Sequence, residues 1–280
     1  MKKVCYLLLS AVLSLSACQK ATVKIQDYKV TIGMSDGTLY VTPMADDAIR
    51  VQYIPDGIQL PELENLIYTQ KQDEHACNFN QTGSKVTVSA HGNGLRAVVN
   101  TRTGKIIFKD AKGKVILKED VRSIEAGKTG DFNSLAVSQS FKTAPDEFLF
   151  GTGQFQDGYL NIRGLTRRLT QVNTQISIPM IISNKGYGIL WNNYGLTEFN
   201  PSDYVVELEQ GGSDGTSVTV NATGTAGNVR ERRFFNDFSG EIEVKESGDY
   251  SILLDVGQSM AHKHLLTIDG DTIINANNTW

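Results

Sequence analysis

The sequence predicts an all-β protein, built as a two-sheet β-sandwich followed by a second, truncated β module. Three observations predict it. No stretch beyond the first residues sustains a helical apolar period, brief apolar–polar alternations recur along the chain, and Gly, Asn and Asp turn signals punctuate them at short spacing. With 280 residues, of which 40% are apolar, the chain has ample material for a core. A sheet that is apolar on one face must cover that face, so many short strands at this spacing favour two sheets packed together.

The elements follow in order. Met1-Lys2-Lys3 and the apolar run Val4–Leu15 form a targeting segment over residues 1–17, too short to span a bilayer as a permanent helix. Leu15-Ser16-Ala17-Cys18 resembles a bacterial lipoprotein lipobox. That resemblance implies cleavage before Cys18, a diacylglyceryl group on its sulfur and an acyl chain on its freed amine, with residues 18–24 as a tether. Processing removes Cys5 and acylation consumes Cys18, which leaves Cys77 without a disulfide partner and as a structural residue.

Residues 25–228 are the expected sandwich. Ile49, Val51 and Tyr53 alternate on one strand, and Val86 and Val88 on another. Lys105–Asp110 and Val115–Glu119 flank a turn whose Gly113 can take a positive φ, and Asp36-Gly37, Asn93-Gly94 and Thr103-Gly104 read as similar turns. Gly151 and Gly153 permit a bend before Gln154. Gly186 and Gly188 bracket Tyr187 in a tight hairpin whose strands, Ile178–Ile182 and Ile189–Trp191, are expected to be buried. From Gly211 to Gly227 the chain turns rich in Gly, Ser, Thr and Asn, which marks a boundary, and residues 229–280 form the second module. There Tyr250, Ile252, Leu254 and Val256 alternate, and Asp269-Gly270 reads as a hairpin turn.

Net charge is −4 with both signs interspersed, which gives no electrostatic footing for nucleic acid, and none is expected as a partner. The GlyxGly of Gly151-Thr152-Gly153 precedes no helix and so is not a phosphate cradle; no cofactor is expected.

One ordered series carries a resemblance. It runs Glu147-Phe148-Leu149-Phe150-Gly151-Thr152-Gly153-Gln154, then Gly158-Tyr159-Leu160-Asn161-Ile162-Arg163-Gly164, then Gln171-Val172-Asn173-Thr174, then Ile178-Pro179-Met180 through Gly186-Tyr187-Gly188 to Asn193. Together these resemble the N-terminal, galactose-mutarotase-like β-sandwich of glycoside hydrolase family 31, the α-glucosidases and α-xylosidases, over residues 25–210. The tail from Phe238 to Ile274 resembles the opening of a PA14-type module. The family resemblance implies an exported α-glycosidase, xylosidase or glucosidase, acting by retention on an oligosaccharide or polysaccharide. This chain would be its N-terminal fragment. The alternative is a stand-alone glycan-binding lipoprotein. With the lipobox, the expected location is the bacterial cell envelope, an outer-membrane lipoprotein held by its lipid.

Hydrolysis needs two carboxyl groups about 5–5.5 Å apart in a retaining enzyme. The family's nucleophile lies in a Trp-x-Asp-Met type segment of a barrel, and Trp191 is followed instead by Asn192-Asn193, so no catalytic residue is assigned here. Asp157 reads as a solvated turn aspartate. The resemblance places a subsite-shaping loop at Leu169–Gln175, which makes Gln171, Asn173 and Thr174 the candidate substrate-binding residues. Their amide and hydroxyl groups donate and accept, as sugar hydroxyls require, and they can equally satisfy their own loop backbone. Asn173 fits both uses; Gln171 and Thr174 fit the second better. His262 and His264 have no third ligand at zinc spacing, and Asp269 and Asp271 suit a turn better than calcium, so no metal site is assigned.

Overall fold

The computed structural model describes residues 22–26, 28–45, 47–59, 78–90, 94–173, 175–193, 195–221, 228–254 and 263–277. Every regular element among them is a strand. They fall into two compact units, one running to Glu147 and including Ser183–Tyr187, the other comprising Phe148–Ile182 and the chain from Gly188 onward.

The first unit is the two-sheet sandwich. One sheet is the antiparallel meander β1 (Val23–Gln26), β2 (Lys29–Gly33), β3 (Gly37–Ala45) and β4 (Ala48–Pro55). The other runs β5 (Asn78–Thr82), β6 (Lys85–Ser89), β7 (Arg96–Asn100), β8 (Ile106–Lys109), β9 (Val115–Thr129) and β10 (Phe132–Lys142), each beside the next. Alternation decides the packing. In the first sheet Val30 lies opposite Val41 and Ile32 opposite Leu39; in the second Val86 lies opposite Val99 and Val88 opposite Ala97. These eight, with Ile106, are fully buried in one apolar cluster. Each aliphatic side chain so buried contributes about 1.5–3 kcal/mol relative to exposure. Ile49, Val51 and Tyr53 pack against that cluster, as their alternation predicts.

Gly113 (φ 81°) and Gly104 (φ 68°) take the positive φ expected of their turns. Gly37 does not. It opens β3, and a β-carbon there would lie 2.5 Å from the Ile54 carbonyl oxygen, so it is a close-approach glycine. Asn93 and Cys77 lie outside the described residues.

In the second unit, β11 (Leu149–Gln154), β13 (Ile176–Ser183) and β14 (Tyr187–Leu190) form a sheet in which β13 is central. The short strands β12 (Arg167–Leu169) and β15 (Thr197–Phe199) pair with each other. Gly186 (φ 84°) makes the predicted hairpin turn. Gly188 is part of β14 instead, where a β-carbon would meet the Ile181 carbonyl oxygen at 3.3 Å. The expectation that Ile178–Ile182 and Ile189–Trp191 are buried is corrected: Leu190 is exposed, with Ile189 and Trp191 half-buried. Ile178, Met180 and Ile182 stay 47%, 39% and 51% exposed, because among the described residues nothing covers that face of the sheet.

The Gly/Ser/Thr/Asn-rich stretch that marks the expected boundary is strand as far as Asn221. β16 (Glu209–Asn221) pairs with β17 (Asn228–Ser239), with a register shift between Gln210 and Ser213 where the two glycines Gly211-Gly212 lie. The expected junction at 228/229 falls at the start of β17. Conversely, Tyr250, Ile252 and Leu254 alternate but form no strand, since no neighbouring strand among the described residues supplies a ladder. β18 (Lys263–Ile268) and β19 (Asp271–Asn277) form the predicted hairpin, with Asp269 (φ 51°) and Gly270 (φ 91°) in the positive-φ pair that a tight two-residue turn needs.

Candidate functional site

The site is built on a kink in β11. Gly151, Thr152 and Gly153 all have positive φ, at 117°, 64° and 102°. The glycines are required by space as well as by angle. A β-carbon at Gly151 would lie 2.4 Å from the Met180 carbonyl oxygen, and one at Gly153 only 2.1 Å from that of Ile176. Glycine here lets β11 press against β13, beyond merely permitting a bend. Thr152 is β-branched, for which a positive φ is a strained conformation, and it is 1% exposed.

Arg167, at the start of β12, locks onto that kink. Its Nη1 donates to Thr152 Oγ1 at 2.7 Å and to the Gly151 carbonyl at 3.2 Å. Its Nε and Nη2 donate to Asp157 Oδ2 at 3.0 and 2.6 Å. The guanidinium carbon stands 4.5 Å from the centre of the Phe155 ring. Arg167 is 6% exposed, a level at which an arginine needs such partners. The reading of Asp157 as a solvated turn residue is therefore half right: its Oδ1 accepts from the Tyr159 amide in a turn, while Oδ2 neutralises a buried cation. The Asn-x-Arg-Gly segment closes the far side, with Asn161 Oδ1 accepting from the Leu149 and Arg163 amides and Ile162 fully buried.

The expected subsite loop leaves β12 directly after Arg167–Leu169. Val172 and Gln175 exchange both backbone hydrogen bonds at 3.2 Å, pinching the loop into a tight turn. The Gln175 side chain holds it from inside, its Nε2 donating to the Thr170 carbonyl at 2.7 Å. Gln171 and Asn173 are exposed, and their amide groups have no hydrogen-bond partner among the described residues. Among the described residues, the side-chain bond to this loop's backbone comes instead from Gln175. Thr174 and Cys18 lie outside the described residues, as does His262.

A second polar cluster, in the first unit, escaped sequence reasoning. Glu147 is 3% exposed, and its carboxylate accepts from Ser183 Oγ and Tyr187 Oη, both at 2.5 Å, and from the Ala144 amide at 3.0 Å. Burial pushes its pKa up, but these donors and the Lys185 charge outweigh it and hold the carboxyl below its ordinary range. Nothing in the local sequence signals this, because two of the donors come from the β13–β14 turn.

Residues 38–200 match the family described as the glycosyl hydrolase 31 N-terminal galactose mutarotase-like domain. The chain belongs to glycoside hydrolase family 31. The α-xylosidase of Saccharolobus solfataricus is 34% identical over 170 residues, which cover 55% of this chain and 22% of that protein. Among solved structures, a family 31 α-xylosidase from Xanthomonas citri aligns over 73% of this chain and 23% of its own, with a TM-score of 0.54 and 25% identity. A soil-metagenome family 31 α-xylosidase complexed with xylose shares the fold over 63% of this chain and 29% of its own, with a TM-score of 0.53 and 24% identity. This family 31 chain thus spans between a fifth and a third of the length of these relatives.

Proposed function

We propose that this chain is the N-terminal region of an exported α-xylosidase, in which the Leu169–Gln175 loop helps line the sugar-binding subsites. Hydrolysis by the retaining two-carboxylate route belongs to polypeptide outside this chain. The observation that carries the reading is a pair of amides with no hydrogen-bond partner among the described residues. Gln171 and Asn173 stand exposed beside a Val172–Gln175 backbone bridge, and the Gln175 side chain bonds the Thr170 carbonyl. Amides held ready in this way can bond sugar hydroxyls without first breaking internal bonds. Xylose is favoured over glucose because the relatives named above are α-xylosidases. The PA14-type tail and a lipid on Cys18 complete the proposed organisation.

The test is the polypeptide encoded by the complete gene, assayed on p-nitrophenyl α-xyloside and α-glucoside. Each amide replaced by alanine, Gln171→Ala or Asn173→Ala, should raise KM for the xyloside about three- to tenfold, the value of one net hydrogen bond. A preference for the α-glucoside would overturn the sugar assignment. An unchanged KM in both variants would overturn the loop's role.

A further inference from the structure

The loop that carries Gln171 and Asn173 is tied at both ends to the same three residues. Its leading end is tied through Arg167, whose Nη1 donates to Thr152 Oγ1 and to the Gly151 carbonyl. Its trailing end is tied through Ile176, whose carbonyl oxygen approaches Gly153 so closely that a β-carbon would stand 2.1 Å away. Both anchors thus sit on the strained Gly151-Thr152-Gly153 kink. Asp157 fixes the other side of the guanidinium through Nε and Nη2, and Phe155 closes on its face. A lysine could supply the charge but not the fork that reaches two elements at once. Strain of the kind seen at Thr152 persists only where the surroundings over-determine it, and Arg167 is what over-determines it.

We propose that Arg167, held by Asp157 and Thr152, is a positioning residue for substrate: through β12, which it begins, it sets the placement of the Gln171 and Asn173 amides that follow. This rests on the reading of that loop as sugar-facing. Arg167 itself is buried and touches no sugar.

The experiment is a double-mutant cycle in the complete enzyme on p-nitrophenyl α-xyloside, combining Arg167→Ala, Arg167→Lys or Asp157→Asn with Asn173→Ala. Arg167→Ala should raise KM about tenfold with kcat changed less than about twofold, since uniform binding is lost and the chemistry is not. Arg167→Lys should restore little, and Asp157→Asn, which preserves shape, should give a smaller rise in the same direction. Once Arg167 is gone, Asn173→Ala should cost less than about twofold more, because the amide it removes is already misplaced. Hydrogen exchange gives the readout that a merely structural role would not move. Amides of Val172 and Gln175 should exchange at least about tenfold faster in Asp157→Asn, while those of Val30 and Val41 in the core keep their protection.

Effects of Arg167 and Asn173 variants that simply multiply would overturn the proposal, as would loop and core exchange rising together. If Asn173→Ala and Gln171→Ala leave KM unchanged in the native background, the sugar-facing reading fails first and the positioning role falls with it. If they raise KM while the Arg167 and Asp157 variants do not, the loop reading stands and this inference alone is wrong.

Discussion

Tyr187 donates its hydroxyl to Oε1 of Glu147 across 40 residues of sequence, and the same oxygen accepts from Ser183. One buried carboxylate thereby clamps the turn of the β13–β14 hairpin onto the segment that precedes β11. Removing one donor from a buried charged acceptor costs about 2 kcal/mol. Tyr187→Phe should therefore lower stability by that amount in urea unfolding with an unchanged m-value. A loss under about 0.5 kcal/mol would show that the phenol is dispensable to the clamp.

Two buried carboxyls of the first unit should respond to pH in opposite senses. Glu147 has a folded pKa below its ordinary 4.5, so its contribution is present above that value and is lost as pH falls through the lowered one. Glu119 is the reverse. Burial pushes it above 4.5, only partly offset by Arg122, the Ile106 amide and Lys105. Its contribution is present below 4.5 and declines as pH rises through the raised value. Melting temperature followed from pH 3 to pH 8 should lose part of its acid-side fall in Glu147→Gln. Glu119→Gln should instead remove a decline on the neutral side. Identical profiles in both variants would contradict the assignment.

At Gly153 both φ and space exclude a side chain. The alanine variant would meet the Ile176 carbonyl oxygen at 2.1 Å in a backbone conformation that L-residues rarely adopt. Gly153→Ala should cost at least about 2 kcal/mol, more than the strain of φ alone. By contrast, Gly158 also has a positive φ (78°) but has open space around it. Gly158→Ala should cost about 1 kcal/mol, and equal losses at the two positions in thermal unfolding would refute the close-approach argument.

Local signals made the sandwich legible. Val86 and Val88, or Ile49, Val51 and Tyr53, announce their buried face through a period of two that any strand must obey. The hairpin turns at Gly113 and Gly186 were legible for the same reason, since a tight turn is specified by residues next to each other. What stayed hidden depends on partners distant in the chain. Arg167 stands beside Arg168 as an ordinary basic pair, and only the fold shows that one is buried on Thr152 and Asp157 while the other is exposed. Glu147 reads as a surface acid until Ser183 and Tyr187 are brought to it. At Gly211–Asn221 the small polar residues marked only a boundary and gave no sign of a strand, since pairing needs only backbone groups and β17 supplies them. At the loop the family resemblance singled out Gln171 and Asn173, but it could not show that Gln175 was the residue holding the turn.

The lipid anchor can be tested independently of the sugar site. The Leu15-Ser16-Ala17-Cys18 segment places the proposed acylation site, Cys18, just ahead of β1, which begins at Val23. Even fully extended, the chain between them reaches only about 17 Å, at roughly 3.4 Å per residue. An acylated Cys18 would therefore hold the sandwich close against the headgroups. A single acyl chain binds a bilayer marginally, whereas each further buried methylene adds about 0.8 kcal/mol, so a diacylglyceryl group plus an amide-linked chain makes a stable anchor. The protein expressed in bacteria should incorporate labelled palmitate and stay in the membrane pellet through a high-salt wash, leaving it only in detergent. Cys18→Ser should take up no label and move to the soluble fraction. A Cys18→Ser protein that remains in the pellet with the mass of the wild type would show that membrane attachment, if any, comes from elsewhere.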